Sequence, residues 1–440
     1  MSRRLRAFKR WMRSQGIECS NTLEIIDDGC EQGFSVKALC GLAEGDLVAT
    51  IPKSACLTIQ TSAAREIIED AGLAGLLGLA VALMYEKSLG EVSAWAGYLQ
   101  LLPDSECAPL VWTLDEVDSL LNGTELHKTV KEDKTLFYED WKECILPLIV
   151  NGPIKLNPNC FGVEQYFAVR SLIASRSFEI DDYHGVGMVP VADLFNHKTG
   201  DEDVHFTSVS SHSGSESDND VEDDGVGSCS NKLSTEDHHF IENTSSSALS
   251  GKYSLNDSHV EYSPNSEDDP MALEMIVVKA IEAGAEVFNT YGSLGNAALL
   301  HRYGFTEPDN PFDIVNIELN IVLEWSKSLF SSRYVRARLS LWRRLGFSGC
   351  VSPSSEYFEI SSDDMVCEAL FSLADIRESF YGESSIEDDI EVLKRGCPML
   401  GRKLYHSVML RVSERRIIQK LRMYASSSSR RTKRTHIKKS

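Results

Sequence analysis

Apolar and polar positions follow three textures along the chain. Near the start, Phe8, Trp11 and Met12 fall at helical spacing in a basic segment, which predicts an amphipathic helix running into the first domain. Residues 24–59 then carry short β-rich runs broken by glycine, and "GLAEGDLVATIP" reads as a turn, a strand and a proline stop. From about Thr61 to Ser177 the period becomes helical. "SAAREIIEDAGLAGLLGLAVALMYEKSL" predicts a buried helix, and Thr113 followed by Glu116 predicts a capping box. Strand character returns at "HGVGMVPVADLFNH". "ALEMIVVKAIEAGAEVFNTYG" (272–292) reads as strand, turn, strand, and its "IEAG" echoes the earlier "LAEG". After about Asn310 the chain is mainly helical to Tyr424.

Composition changes this picture in one place. The chain has 440 residues, 42% of them hydrophobic, enough for a large core and for two or three domains. Its net charge is −22, which argues against broad nucleic-acid binding. Between Thr199 and Pro270, however, 17 Asp/Glu stand against 2 Lys/Arg, a net of −15 that leaves only −7 for the rest. Residues 207–269 are Ser/Asp/Glu-rich and cannot offset their ordering entropy by burial, so they read as a disordered insertion. It is either a regulatory arm suited to acid-directed phosphorylation or a tolerated surface loop.

The eleven cysteines form no CxxC pair and are odd in number, so neither a disulfide framework nor a cysteine-rich zinc cluster is expected, and a reduced compartment is. The longest apolar stretch, 71–84, is too short to span a bilayer. The basic start lacks the apolar core of a secretory signal; an organelle transit peptide is the alternative to a folded helix there. The end, "RRTKRTHIKKS", holds six Lys/Arg in eleven residues and reads as a nuclear localisation signal or an RNA contact.

Four segments hold residues fit for chemistry: "CEQGFSV" (30–36), "ASRSFEI" (174–180), "VADLFNH" (191–197) and "FNTYGSLGNAALLHRYGF" (288–305). Taken singly, each has a plain structural reading. Asn196-His197 caps a turn, Asp193 makes an Asx turn, and Arg176 is exposed on a helix with Phe167, Leu172, Ile173 and Phe178. Tyr291, Tyr303 and Phe305 are packed rings. A zinc role for His197 lacks partner ligands at a recognisable spacing, so no metal is expected.

In order, these segments resemble SET-domain methyltransferases. More narrowly, they are similar to the group containing the Rubisco large-subunit lysine methyltransferase, the fungal ribosomal-protein lysine methyltransferases and related animal non-histone enzymes. Residues 81–103 resemble that group's insertion, and the helical C-terminus its substrate-binding domain. The resemblance covers about Phe8 to Tyr424 except the acidic tract. It implies an α+β fold: a β-rich SET domain interrupted by a helical insertion and followed by an all-helical C-terminal substrate-binding domain. The expected divisions are 1–60 (N-terminal helix and first SET part), 61–180 (helical insertion), 181–306 (second SET part, holding 207–269), 307–425 (substrate-binding helices) and 426–440 (basic tail).

The resemblance also implies an activity. The chain would be an S-adenosylmethionine-dependent protein-lysine N-methyltransferase, a monomer of the nucleus or cytoplasm rather than the chloroplast. Its partner would be a lysine-bearing non-histone protein, a ribosomal protein foremost, with no membrane and no specific nucleic acid. Such chemistry rests on positioning and desolvation, because a neutral lysine amine must attack the methyl in line. Tyr291 would be catalytic and would also touch the cofactor. Glu31, Gln32, Gly33, Arg176, Asp193, Asn196 and His197 would bind the cofactor, with the Arg176 guanidinium reaching the cofactor's carboxylate. Tyr303 and Phe305 would line the lysine channel. The family's first motif is Gly-x-Gly, and Glu31 stands in place of the first glycine. Two alternatives stay open: a histidine acceptor on the same fold, and a catalytically degenerate SET fold that only binds.

Overall fold

The computed structural model describes residues 1–29, 33–152, 156–208, 272–318, 321–325, 350–351 and 364–437. Glu31, Gln32 and the acidic tract from 209 onward lie outside the described residues. The chain divides into one unit of Met1–Ser208 with Met271–Ser440 and another of Val209–Pro270. Every described strand and helix belongs to the first unit.

The amphipathic start folds as expected. A helix over Arg3–Ser14 begins on Ser2, whose hydroxyl accepts from the Leu5 N–H. Leu5, Phe8 and Met12 are buried in the main core. Trp11 stacks on Phe8 and on Tyr98 and donates its indole N–H to the Ala94 carbonyl at 2.7 Å. This helix therefore closes one side of the core.

Among the described residues, ten short strands lie around that core: β1 (Glu18–Cys19), β2 (Leu23–Gly29), β3 (Gly33–Ala38), β4 (Leu47–Pro52), β5 (Ser177–Asp181), β6 (Gly185–Met188), β7 (Asn196–His197), β8 (Val204–Ser208), β9 (Ala272–Val277) and β10 (Phe288–Asn289). The largest sheet has the order β1-β4-β9-β8 with antiparallel pairing throughout. In β9 the alternation is clean: Leu273, Met275 and Val277 face the core, while Ala272, Glu274 and Ile276 are half-buried. β8 and β9 form a hairpin in register from Val204↔Val277 to Ser208↔Leu273. β8 runs to Ser208, so Thr207 and Ser208 belong to a strand rather than to the expected insertion.

The echo between "LAEG" and "IEAG" has a structural counterpart. Leu42 and Ile281 exchange both backbone hydrogen bonds at 3.0 Å. The Gly45 N–H donates to Val277 O and the Gly284 N–H to Ala38 O. Each turn is pinned to the strand that leads into the other, and this crossed pair holds β3 and β4 against β9 and β10.

Between β4 and β5 the chain is helical. Gly75–Leu89 is buried from Leu79 to Met84, and Thr113 and Glu116 form the expected reciprocal cap. The helix Val163–Arg176 ends one residue before β5. Phe178 is therefore a strand residue, not a helical one, because Ser177–Asp181 pairs with Gly185–Met188.

The C-terminal region is mostly but not wholly helical. Helices Asp364–Ser379, Ile386–Leu393, Cys397–Leu400 and Arg402–Ile437 carry a second core of Val315, Ile317, Leu373, Ile418 and Leu421. Val315–Asn316 pairs antiparallel with Cys350–Val351, which departs from an all-helical region. The last helix also runs without a break through 425 to Ile437. Among the described residues no helix is long and apolar enough to cross a membrane.

Candidate functional site

The site is built on the parallel pair β7–β10, in which Asn196 lies opposite Phe288 and His197 opposite Asn289. The approach to β7 is buried from Met188 through Phe195. Val191 stands at φ +78°, a conformation a β-branched side chain rarely adopts, and it launches the tight turn over Ala192–Leu194. Surrounding burial holds this strained turn and delivers Phe195, Asn196 and His197 to the sheet end.

His197 links the two strands' ends. Its Nδ1 accepts from the Tyr291 N–H at 2.9 Å, and Nε2 lies 3.0 Å from the Thr199 hydroxyl. A backbone N–H can only donate, so Nδ1 is unprotonated and Nε2 carries the proton of a neutral ring. Burial lowers the His197 pKa from its ordinary value, which favours that neutral ring.

Tyr291 stacks on His197 at 4.9 Å between centroids and lies 4.6 Å from Tyr303. Phe305 is 6.1 Å from His197 and 6.2 Å from Tyr303. The Tyr291 hydroxyl donates to the Phe195 carbonyl at 3.1 Å. Burial pushes this phenol well above its ordinary range, so it stays neutral at any physiological pH. Gly304, between Tyr303 and Phe305, has φ +75°, and a Cβ there would come within 2.6 Å of the Cys107 backbone. A glycine is required, because the turn that aims both rings passes against another segment of main chain.

Asn196 is half-buried. Its Nδ2 donates to Glu286 Oε1 at 2.8 Å and to the Phe34 carbonyl at 3.3 Å. Phe34 follows Gly33, where an added Cβ would meet no described atom within 4 Å.

Arg176 and Asp193 depart from their plain readings. Arg176 is not a solvated helical arginine: Nε donates to Glu106 at 2.6 Å and Nη1 to the Asp193 carbonyl at 3.2 Å, while Nη2 donates to no described residue. The Asp193 side chain makes no Asx turn; it accepts from the buried Tyr98 hydroxyl at 2.8 Å and lies 3.6 Å from Arg176. Burial raises the Asp193 carboxyl to about 6 against the opposing pull of Arg176. Its Oδ1 is buried without a hydrogen-bond partner among the described residues.

The structure therefore brings Gly33, Arg176, Asp193, Asn196, His197, Tyr291, Tyr303 and Phe305 around one end of the β7–β10 pair, while Glu31 and Gln32 fall outside the described residues. It adds Tyr98, Glu106, Thr199 and Glu286, which the sequence motifs did not single out as site residues. Tyr98 and Glu106 come from the helical block and carry no local signal. Glu286 did carry one: a lone acid inside an otherwise apolar strand run. Among the described residues no group of His, Cys, Asp and Glu is placed to hold a metal ion.

No family model matches the chain. It is similar to the N-lysine methyltransferase setd6 of Salmo salar, with 25% identity over 433 residues, 90% of this chain and 82% of that protein. The Xenopus laevis protein of the same name is 25% identical over 359 residues, 77% of this chain and 65% of that protein. Ribosomal lysine N-methyltransferase 3 of Saccharomyces cerevisiae is 26% identical over 358 residues, 71% of this chain and 63% of that protein. The chain thus spans just under two thirds of the frog and yeast relatives. Among solved structures, the SET domain of LSMT bound to lysine and AdoHcy superposes with a TM-score of 0.63 at 18% identity, covering 96% of this chain and 91% of that one. Rubisco LSMT bound to AdoMet gives 0.61 at 17%, covering 98% and 93%.

Proposed function

We propose, from the premise that this chain matches the SET-domain lysine methyltransferases of the Rubisco large-subunit and ribosomal-protein group, that it moves a methyl from S-adenosylmethionine to a lysine side chain of a non-histone protein. The observation that carries this reading is the convergence of Asn196, His197, Tyr291, Tyr303 and Phe305 at one sheet end.

The residues present fit the cofactor. Its amino-acid end is a zwitterion, and the site offers an acceptor in the carboxamide oxygen of Asn196 and a donor in the guanidinium Nη2 of Arg176. Bound there, S-adenosylmethionine supplies an activated methyl on a sulfonium. Asp193 acts indirectly, by fixing the turn that presents Asn196 and by holding Arg176 and Tyr98.

The chain's own work is then positional. Tyr291, Tyr303 and Phe305 form an aromatic wall in which a charged ammonium is poorly solvated, which lowers a lysine pKa from its usual value of about 10.4. The neutral Tyr291 phenol aligns the amine by a hydrogen bond without adding charge. Holding amine and methyl in line supplies most of the rate. The helices over 307–425 serve as the substrate-binding region, the basic tail directs the chain to the nucleus, and the protein acts as a monomer.

Labelled-methyl transfer into a cell lysate, run with wild type and Tyr291→Phe, tests the reading. Wild type labels a protein band and Tyr291→Phe labels it far less; equal labelling removes the role of Tyr291. Ribosomal proteins are the first purified substrates to try, with Lys→Arg and His→Gln versions to identify the acceptor. Absence of S-adenosylmethionine binding in calorimetry would sink the enzyme reading.

A further inference from the structure

We infer that Glu286 is a positioning residue that sets which face of the Asn196 amide meets the cofactor, and so provides recognition of the cofactor's ammonium group. The inference rests on the methyltransferase reading above.

A carboxamide presents a nitrogen donor on one side and an oxygen acceptor on the other. Asn196 Nδ2 faces Glu286 Oε1 at 2.8 Å and the Phe34 carbonyl at 3.3 Å. Both neighbours are acceptors only. The reversed amide would set Oδ1 against two acceptors, so the chemistry of the surroundings selects one orientation. The Glu286 contact is the shorter and is charge-assisted, so it dominates the choice.

The backbone holds Glu286 in place for this task. Residue 286 bridges Lys37 of β3, the Val287 N–H donates to Val36 O at 2.8 Å, and Phe288 is the register partner of Asn196. With Nδ2 spent on the protein, Oδ1 lies on the opposite side and accepts from no described residue. Asn196 is half-buried, so Oδ1 is left for a donor brought from outside. At the amino-acid end of S-adenosylmethionine that donor is the ammonium, and a reversed amide would repel it.

The test compares the binding of S-adenosylhomocysteine with that of the same molecule lacking its α-amino group, by calorimetry on the full chain. Wild type should prefer the amino-bearing ligand by about tenfold or more, the worth of one charge-assisted hydrogen bond. Glu286→Gln keeps an acceptor and should keep most of that preference. Glu286→Met keeps the length but no amide acceptor, and the preference should fall to about threefold or less; Glu286→Leu repeats the measurement if Met destabilises the fold. An unchanged preference in the apolar variant overturns the inference. So does an equal loss in Gln and Met, which would assign the effect to charge, or an equal weakening of both ligands, which would make Glu286 merely structural. Failure of wild type to bind S-adenosylhomocysteine overturns the methyltransferase reading itself.

Discussion

The Tyr291 backbone N–H donates to His197 Nδ1 at 2.9 Å, and the two rings stack 4.9 Å apart. One residue thus fixes the other twice, through main chain and through ring face. Because Nδ1 must accept, the arrangement depends on a neutral imidazole.

That dependence gives a pH prediction. The His197 pKa in the folded chain is lowered from 6.5, so between the two values the unfolded chain binds more protons. The stabilising contribution is present above pH 6.5 and is lost as pH falls through the lowered value. His197→Asn places a non-titrating carboxamide near the Nδ1 position. Thermal melts of the variant between pH 7 and 5 should depend less on pH than those of wild type. Parallel profiles would exclude His197 as the source.

Tyr291→Phe should leave the fold nearly intact. It removes one hydrogen bond, to the Phe195 carbonyl, at a cost of about 1 kcal/mol, and keeps the ring. The rate should fall by about a hundredfold, because the amine loses the hydroxyl oxygen that accepts from it and holds it in line, while cofactor affinity changes little. Single-turnover transfer and calorimetry separate the two.

Gly304→Ala should disturb the site as well as the fold. The new Cβ would lie 2.6 to 2.8 Å from backbone atoms of Cys107 and Ala108, in a left-handed conformation. A loss of more than about 2 kcal/mol is expected from urea unfolding. Labelled-methyl transfer should fall at temperatures where the variant is still folded, because Tyr303 and Phe305 flank the strained turn. Full activity in the folded variant would contradict this.

Arg377 is a cation beside buried Glu414 and half-buried Glu125. Its Nη2 donates to Glu414 and Nη1 to the Gly123 carbonyl, and burial pushes the Glu414 carboxyl up to about 8 and raises Glu125 as well. Arg377→Met leaves Glu414 uncompensated where that carboxyl is ionised and should cost about 3–5 kcal/mol above pH 8. A raised acid pKa means the folded state retains the proton, so the deficit should shrink as pH falls from 9 through 8 towards 7. A pH-independent deficit, measured by denaturant melts, would show that the acids are not involved.

Periodicity revealed the elements whose cause is local. Leu5, Phe8 and Met12 share one helix face, Thr113 and Glu116 cap each other, and the two related turns meet at Leu42 and Ile281. The α+β fold was legible from motif order, and it stands beside the likeness to Rubisco LSMT. What stayed hidden depends on distant partners. Phe178 reads as helical until β6 claims Ser177–Asp181 as a strand. Arg176 reads as solvated until Glu106, contributed by another part of the helical block, reaches it. Asp193 reads as a local turn former until Tyr98 supplies its hydroxyl. No local pattern announces a contact made across such separations.

The pairing of β4 with β9 also sets an order of events as the chain is made. Thr50 opposes Glu274 and Ile51 opposes Leu273, so the strand over Leu47–Pro52 emerges from the ribosome long before its neighbour exists. Contacts of such sequence separation form slowly, because loop closure must come first. Until then β4 carries an unpaired edge, the kind of surface that invites association with other chains. His197 likewise has no Tyr291 to receive. The nascent protein is therefore most exposed to misassembly during synthesis of the helical block and the acidic tract; the β4 edge is covered only when Ala272–Val277 is delivered, and His197 is satisfied only when Tyr291 follows.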